Sequence, residues 1–200
     1  NNVNQSEYPK LTYKNGTYHV QGYQSFDIDK QKICNPRRKL LEKSIVVKSV
    51  IDKNQKKCKT LLDIGANHGQ FAIVLSPLFK SITAVEPEVE APILTENVSW
   101  FKKSFKEFIT ETNDTYDVVF SFATTREIKL KDKINEHTIV KGHYDLVKPD
   151  GILIYETHLL DRQDMQEHSR IMLKAFRELF NEEIESGKSR NERMYYIFKK

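Results

Sequence analysis

The chain has 200 residues, which is enough for one domain with a full hydrophobic core. Its composition is 38% hydrophobic and 30% charged, and no apolar run approaches the roughly 18 residues that a bilayer-spanning helix needs, which argues against a membrane protein. A net charge of +4 is a weak excess for a nucleic-acid-binding protein, so that partner is not favoured. The two cysteines, Cys34 and Cys58, have neither metal-ligand nor redox spacing, as expected of a reduced cytoplasmic protein.

Residues 1–57 are predicted to form a small N-terminal extension, and residues 58–200 a single larger domain. Two runs of alternating residues flank Asn15-Gly16, which is the pattern of a β-hairpin. Residues 37–53 have helical periodicity, with Pro36 at the start. The aromatic residues of the extension would form either the core of the hairpin or a lid over a site: Tyr13, Tyr18, Tyr23 and Phe26.

From residue 60 onward, predicted strands and helices alternate, a pattern typical of a parallel α/β sheet. The predicted strands are 60–64, 81–85, 98–101, 116–121 and 152–156. Helices are predicted over 71–79, between Pro87 and Pro92, and over about 131–147 and 164–180. The last segment predicts a terminal hairpin that turns at 187–189.

The most informative segment is a glycine-containing turn after the strand at 60–64. It reads Asp63-Ile64-Gly65-Ala66-Asn67-His68-Gly69 and leads into a helix. Glycine has no Cβ and tolerates positive φ, so such a turn lets the backbone approach a ligand closely. The next predicted strand ends in Glu86, at a place where a carboxylate can accept hydrogen bonds from ribose hydroxyls. Together the turn and the acid predict a ligand that contains adenosine.

The sequence D-I-G-A-N-H-G followed by A-V-E-P resembles motif I and the acidic loop of class I S-adenosylmethionine-dependent methyltransferases. The rival interpretation, a NAD-binding domain, would have G-x-G-x-x-G, whereas the glycines here are spaced G-x-x-x-G. Asp63 beside the turn suits the ammonium group of the methyltransferase cofactor and would repel a phosphate. The resemblance covers about residues 58–200 and implies a Rossmann-like, seven-stranded, mostly parallel sheet with a C-terminal antiparallel hairpin.

The resemblance also implies which residues bind S-adenosylmethionine. Asp63, Gly65 and Gly69 would hold its methionine end, and Glu86 its ribose. The family's adenine-binding acid is missing after the third strand, where Ser104 and Phe105 stand instead. The other residues expected to contact the cofactor are Ala66 and Asn67 in the turn, Pro87 after the acid, and Ser121 at the end of the fourth strand.

The methyl acceptor is less well defined by the sequence. The amino-methyltransferase signature D/N-P-P-Y is absent, and no cysteine occupies the loop 121–126, so oxygen is the preferred acceptor atom. An alcohol needs a base near neutral pH, and His158, just after the fifth strand, is the catalytic candidate. The sequence is similar to bacterial methyltransferases that modify surface polysaccharides and small metabolites. A small-molecule or glycan acceptor is therefore expected.

Alternatives to this interpretation remain open at the level of sequence. An RNA methyltransferase or a non-catalytic cofactor-binding module would have the same fold. Arg37, Arg38 and Arg126 could bind an anionic acceptor by bidentate pairing. A divalent metal is not expected, because the E-x-x-E-H arrangement of small-RNA 2′-O-methyltransferases is missing, although suitable residue types occur at Glu136, His137, Glu156 and His158.

Overall fold

The computed structural model describes residues 59–190 and 193–200, together with the backbone of four short N-terminal strands. These strands form two antiparallel pairs. The first pair joins β1 (Lys10–Lys14) to β2 (Thr17–Gln21), and the second joins β3 (Ser25–Asp27) to β4 (Lys32–Cys34). The first pair confirms the hairpin predicted on either side of Asn15-Gly16. The predicted helix over 37–53 lies outside the described residues, as do Arg37 and Arg38.

Seven further strands form one sheet in the order β10-β11-β9-β8-β5-β6-β7. Strands β5 to β9 are parallel, whereas β11 runs antiparallel to both β9 and β10. This topology is the predicted Rossmann-like sheet with its terminal hairpin. The strands are β5 (Thr60–Ile64), β6 (Ser81–Val85), β7 (Val98–Phe101), β8 (Tyr116–Phe122), β9 (Val147–Glu156), β10 (Glu182–Arg190) and β11 (Arg193–Lys199).

In the described part of the chain, five helices pack on the two faces of the sheet. They are α1 (Gln70–Leu75), α2 (Phe105–Glu111), α3 (Thr125–Asp132), α4 (Glu136–Leu146) and α5 (Gln163–Leu179), and a 3-10 turn at Ser76–Leu78 follows α1. None of the five described helices has the length and apolar character needed to cross a lipid bilayer.

The core lies in two layers, because successive strand residues point to opposite faces of the sheet. Leu61 and Ile154 pack against α1 on one face, whereas Leu62 and Leu153 pack against α4 and α5 on the other face. All four side chains are fully buried. The sheet is therefore covered on both sides, and the ends of its strands are left as the place where a ligand can bind.

The described helices differ from the prediction in several places. No helix lies between β6 and β7, where residues 86–97 form a loop. Helix α2 was not predicted, although Ser104 and Glu107 form a capping box at its start. The helix predicted over 131–147 begins only at Glu136, because Lys133 adopts a left-handed conformation (φ 54°) and Asn135 starts a new helix by accepting a bond from the Thr138 N–H.

Two strands are longer than predicted. Strand β10 continues through Gly187 to Arg190, because Gly187 faces Tyr195 of β11 and leaves room for its ring. Strand β9 begins at Val147, and the predicted turn at Pro149-Asp150-Gly151 is an irregularity within it, with Asp150 at φ 66°.

Candidate functional site

The site is built where β5 and β6 end next to each other at the carboxyl edge of the sheet. The backbone N–H groups of Gly65 and Ala66 donate to the carbonyl oxygen of Val85, at 2.9 and 3.2 Å. Gly65 and Gly69 have φ values of 69° and 78°, in the left-handed region that favours glycine. The glycine turn is therefore tied directly to the end of the neighbouring strand.

Glu86 joins the two loops through its carboxylate. One oxygen accepts a hydrogen bond from the Asn67 N–H at 2.9 Å, and the other accepts from the Glu88 N–H at 2.7 Å. The side chain is 7% exposed. Each carboxylate oxygen can accept more than one hydrogen bond, so this arrangement leaves capacity for a ligand hydroxyl.

A cavity of about 200 Å³ lies between these two loops and helix α3. This volume is below the roughly 300–1,000 Å³ usual for ligand pockets, so part of a nucleoside-sized ligand would lie outside the enclosed space. Its charged side chains are four carboxylates and one ammonium group: Glu86, Glu88, Glu127, Asp132 and Lys131. Such a lining favours a positively charged ligand and disfavours a polyphosphate.

The five predicted contacts that line the cavity are Gly65, Asn67, Glu86, Pro87 and Phe105. Asp63 and Ala66 are buried beside it, and Gly69 precedes helix α1. The structure thus brings the glycine turn, the acidic loop and the segment after β7 to one place. Their roles in cofactor binding stay predictions.

The two predicted serine contacts have structural partners. The Ser104 hydroxyl accepts a hydrogen bond from the Glu107 N–H at 3.1 Å and so caps helix α2. Ser121 is fully buried, and its hydroxyl lies 2.9 Å from Nε2 of His143 in helix α4. Neither side chain lines the cavity. Their assignment to the cofactor stays a prediction that this placement does not support.

Helix α3 forms one wall of the cavity through Glu127, Ile128, Lys131 and Asp132. Lys131 forms an ion pair of 2.8 Å with Glu88 of the loop after β6. This contact holds the pKa of the Glu88 carboxyl below its ordinary value. Both partners are at least half exposed, so the pair connects the two cavity walls with little effect on stability.

His158 lies at the edge of this site but does not line the cavity. Its Nε2 atom accepts a hydrogen bond from the backbone N–H of Arg126 at 3.0 Å and lies 3.3 Å from a carboxylate oxygen of Glu127. The imidazole is 6% exposed, whereas half of the Glu127 side chain is exposed. Burial raises the pKa of the Glu127 carboxyl above its ordinary value.

A buried polar network supports the first turn of helix α3. The Oγ1 atom of Thr125 lies 2.8 Å from Nε2 of His168, whose Nδ1 lies 3.2 Å from Glu136. The Lys129 ammonium donates to both oxygens of Glu136, at 2.9 and 2.8 Å. Burial lowers the pKa of His168. This network fixes the segment that carries Arg126 and Glu127.

The residues considered for a metal do not converge. Glu136 is held by Lys129 and His168, Glu156 lies 3.5 Å from Arg193, and His137 is exposed. Across residues 59–188 and 193–200, no three His, Cys, Asp or Glu side chains are grouped to hold a metal ion. Arg126, considered for an anionic acceptor, lies 3.8 Å from the carboxylate of Asp164.

Several residues beside the cavity could not be recognised from the sequence. Thr124 packs so closely on Gly65 that a Cβ atom on Gly65 would lie 2.4 Å from the Oγ1 atom of Thr124. Trp100 and Pro92 pack on Gly69, and the Trp100 indole donates to the Val89 carbonyl at 3.2 Å. These contacts bring together distant parts of the chain. In the sequence, the local sign of this packing is the pair Gly65 and Gly69, because a glycine leaves room for a neighbouring side chain.

A larger groove of about 530 Å³ lies between helices α2 and α4. Its lining includes Asn113, His137, Lys141 and Asp145. None of the residues predicted to bind the cofactor lines this groove, and it is not bordered by the glycine turn or by Glu86. The smaller cavity at the ends of β5 and β6 is therefore the candidate site.

The sheet order, the glycine turn after β5 and the acid after β6 are features of a class I methyltransferase fold. Residues 30–194 match the family described as a methyltransferase domain. The chain belongs to this family and is a class I S-adenosylmethionine-dependent methyltransferase. A search of curated proteins found no match.

Solved structures share the fold at low sequence identity. The N-methyltransferase NodS from Bradyrhizobium japonicum WM9, in complex with S-adenosylhomocysteine, is 14% identical over 88% of each chain, with a TM-score of 0.57. A fibrillarin/Nop5p complex is 14% identical over 94% of this chain and 96% of that one, with a TM-score of 0.59. A ribosomal protein L11 methylase from Lactobacillus delbrueckii subsp. bulgaricus is 14% identical over 70% and 69%, with a TM-score of 0.51.

Proposed function

We propose that this enzyme methylates a hydroxyl oxygen of a small metabolite or surface-glycan precursor. The observation that carries the proposal is the position of the Glu127–His158 pair beside the acidic cavity. An alcohol loses its proton as the new bond to carbon forms, and a positioned carboxylate or imidazole accelerates this step. The pair therefore supplies what an alcohol acceptor needs, at the edge of the cavity that suits the cationic cofactor.

The residues around the cavity fit S-adenosylmethionine, which supplies a methyl group on a positively charged sulfur. Asp63 and the turn from Gly65 to Gly69, with Ala66 and Asn67, would hold its methionine end. Glu86 would accept bonds from the ribose hydroxyls, while Pro87 and Phe105 would contact the adenine. The acidic lining supports this assignment, because carboxylates stabilise a nearby cation.

An amine acceptor is the second candidate, and two observations favour it. NodS, which shares the fold, is an N-methyltransferase. The cavity also carries more carboxylates than ammonium groups, a lining that attracts a protonated amine. The D/N-P-P-Y motif, with which many amino-methyltransferases bind their acceptor, is absent, and this argues against an amine acceptor bound in that way. RNA is less favoured because the net charge is only +4.

Methyl transfer into separated cell fractions tests this proposal. Purified enzyme and methyl-labelled S-adenosylmethionine are incubated with the small-molecule, glycan and RNA fractions of a bacterial extract. We expect label in the small-molecule or glycan fraction, bound to oxygen, with little dependence on salt. Label in RNA, with transfer that falls steeply as salt is raised, would contradict the proposal. Label bound to nitrogen would favour the amine, and no label in any fraction would favour a binding module.

A further inference from the structure

Within the pair at the edge of the cavity, only the carboxylate faces the enclosed space. Glu127 lies in the first turn of helix α3 and lines the cavity together with Gly65 and Glu86. His158 is 6% exposed and lies behind Glu127, with its Nε2 atom 3.3 Å from the carboxylate. Of the two side chains, Glu127 is therefore the one that a molecule bound at the cavity would contact.

The hydrogen bonds of His158 indicate a supporting role. Nε2 accepts from the Arg126 N–H at 3.0 Å, so in the neutral ring the proton belongs on Nδ1. To take a proton from the methyl acceptor, Nε2 would have to lose its hydrogen bond to the first turn of α3. Nε2 has a single lone pair, and the Arg126 N–H already occupies it. The imidazole is thus placed to hold the turn of α3 that carries Glu127.

We propose that Glu127 is the catalytic base that removes the proton from the acceptor hydroxyl, and that His158 is a positioning residue that orients it. This inference rests on the proposed function. In the step, the acceptor oxygen forms a bond to the methyl carbon as the bond from carbon to sulfur breaks. The electron pair of the broken bond stays on sulfur, and the hydroxyl proton moves to a carboxylate oxygen of Glu127.

The charged surroundings of Glu127 come from several elements. Arg126 and Lys131 lie on the same helix, His158 follows β9, and Arg193 belongs to β11. Burial raises the pKa of Glu127, and the three cations oppose that rise. A base with a raised pKa binds a proton more tightly, which suits proton removal near neutral pH. Because the ionised form is the active one, turnover falls as the pH is lowered through this raised pKa.

The first test compares variants in the labelled transfer reaction, with the small-molecule or glycan fraction that accepts label from the wild-type enzyme. We expect Glu127→Gln to lower kcat about 100-fold or more, the usual range for loss of a general base. Glu178→Gln, on the exposed face of α5, is the matched control and keeps full activity. Binding of S-adenosylhomocysteine to Glu127→Gln should stay within about threefold of wild type, which is under 1 kcal/mol.

A variant of His158 distinguishes a catalytic base from a positioning residue. The amide oxygen of a glutamine can still accept the Arg126 N–H, so His158→Gln should lose at most about tenfold in kcat, less than the loss expected without a base. If His158→Gln loses more activity than Glu127→Gln, the assignment of the base is wrong. If wild type binds no S-adenosylhomocysteine, the proposed function fails instead, so the two failures are distinguishable.

A readout independent of turnover is the titration of Glu127 itself, followed by carbon-13 NMR in protein with labelled glutamate. The resonance is identified by its absence from Glu127→Gln. We expect its midpoint above the ordinary glutamate value of 4.5. A carboxyl group that titrates at or below that value, with turnover unaffected by Glu127→Gln, would overturn the inference.

Discussion

Gly65 shows how one residue without a side chain can define a site. Its φ of 69° is a conformation that residues with a Cβ rarely adopt, and Thr124 occupies the space where a Cβ would be. Its N–H group also ties the turn to Val85. The glycine is therefore required by the backbone, by packing and by the shape of the cavity at once.

Replacing Gly65 tests whether the turn requires a residue without a side chain. Gly65→Ala combines a strained φ with overpacking against Thr124, and we expect it to lower the free energy of unfolding by at least about 2 kcal/mol. The double variant Gly65→Ala/Thr124→Gly should recover the free energy of unfolding that is lost to overpacking, but not the part that is lost to the strained φ. Chemical denaturation measures both changes. A single variant as stable as wild type would show that the turn is not constrained in this way.

At the scale of elements, His143 connects helix α4 to strand β8. Its ring is fully buried, with Nδ1 2.7 Å from the Ile139 carbonyl and Nε2 2.9 Å from the Ser121 hydroxyl. Nδ1–H therefore donates to the carbonyl, and Nε2 accepts from Ser121, as a neutral ring allows. Burial lowers the pKa of His143 from 6.5 to about 4. The neutral ring is thus part of the packed structure.

This buried histidine predicts a loss of stability in mild acid. The unfolded chain binds the proton more tightly, so the His143 contribution is present above pH 6.5 and is lost as the pH falls toward about 4. Once the pH is below about 4, the free energy of unfolding has fallen by about 3 kcal/mol. His143→Phe removes the titrating group and should flatten the fall of the unfolding free energy between those pH values. His137→Asn, at an exposed position of the same helix, should leave it unchanged. Identical pH profiles for wild type and His143→Phe would refute the assignment.

The order of elements could be predicted because it depends on local patterns. Strands β5, β6 and β7 begin and end where alternation and apolar runs place them. Helix α2 was missed because its seven residues follow a strand so closely that its capping box was interpreted as ligand-binding sequence. The absent helix between β6 and β7 reflects the tertiary contacts of Trp100 and Pro92, which hold that segment as a loop.

At the scale of the whole molecule, the site combines parts that the sequence predicts with parts that only the fold brings together. The glycine turn and Glu86 follow from motif spacing, and the sheet places them side by side. Glu127 could not be predicted, because its position beside the cavity depends on how helix α3 crosses the sheet edge. The buried contact between Thr125 and His168 that supports this helix is likewise long-range, spanning 43 residues.

We expect the loops that carry Gly65 and Glu86 to bind a cationic nucleoside cofactor rather than a dinucleotide. Calorimetric titration with S-adenosylhomocysteine and with NAD, side by side, distinguishes these two ligands. We expect binding of S-adenosylhomocysteine only, weakened about 10- to 100-fold in Glu86→Ala by the loss of hydrogen bonds to a charged group. Glu96→Ala, at an exposed position of the same loop, should bind like wild type. Binding of NAD without S-adenosylhomocysteine, or an affinity unchanged by Glu86→Ala, would show that these loops do not bind the cofactor in this way.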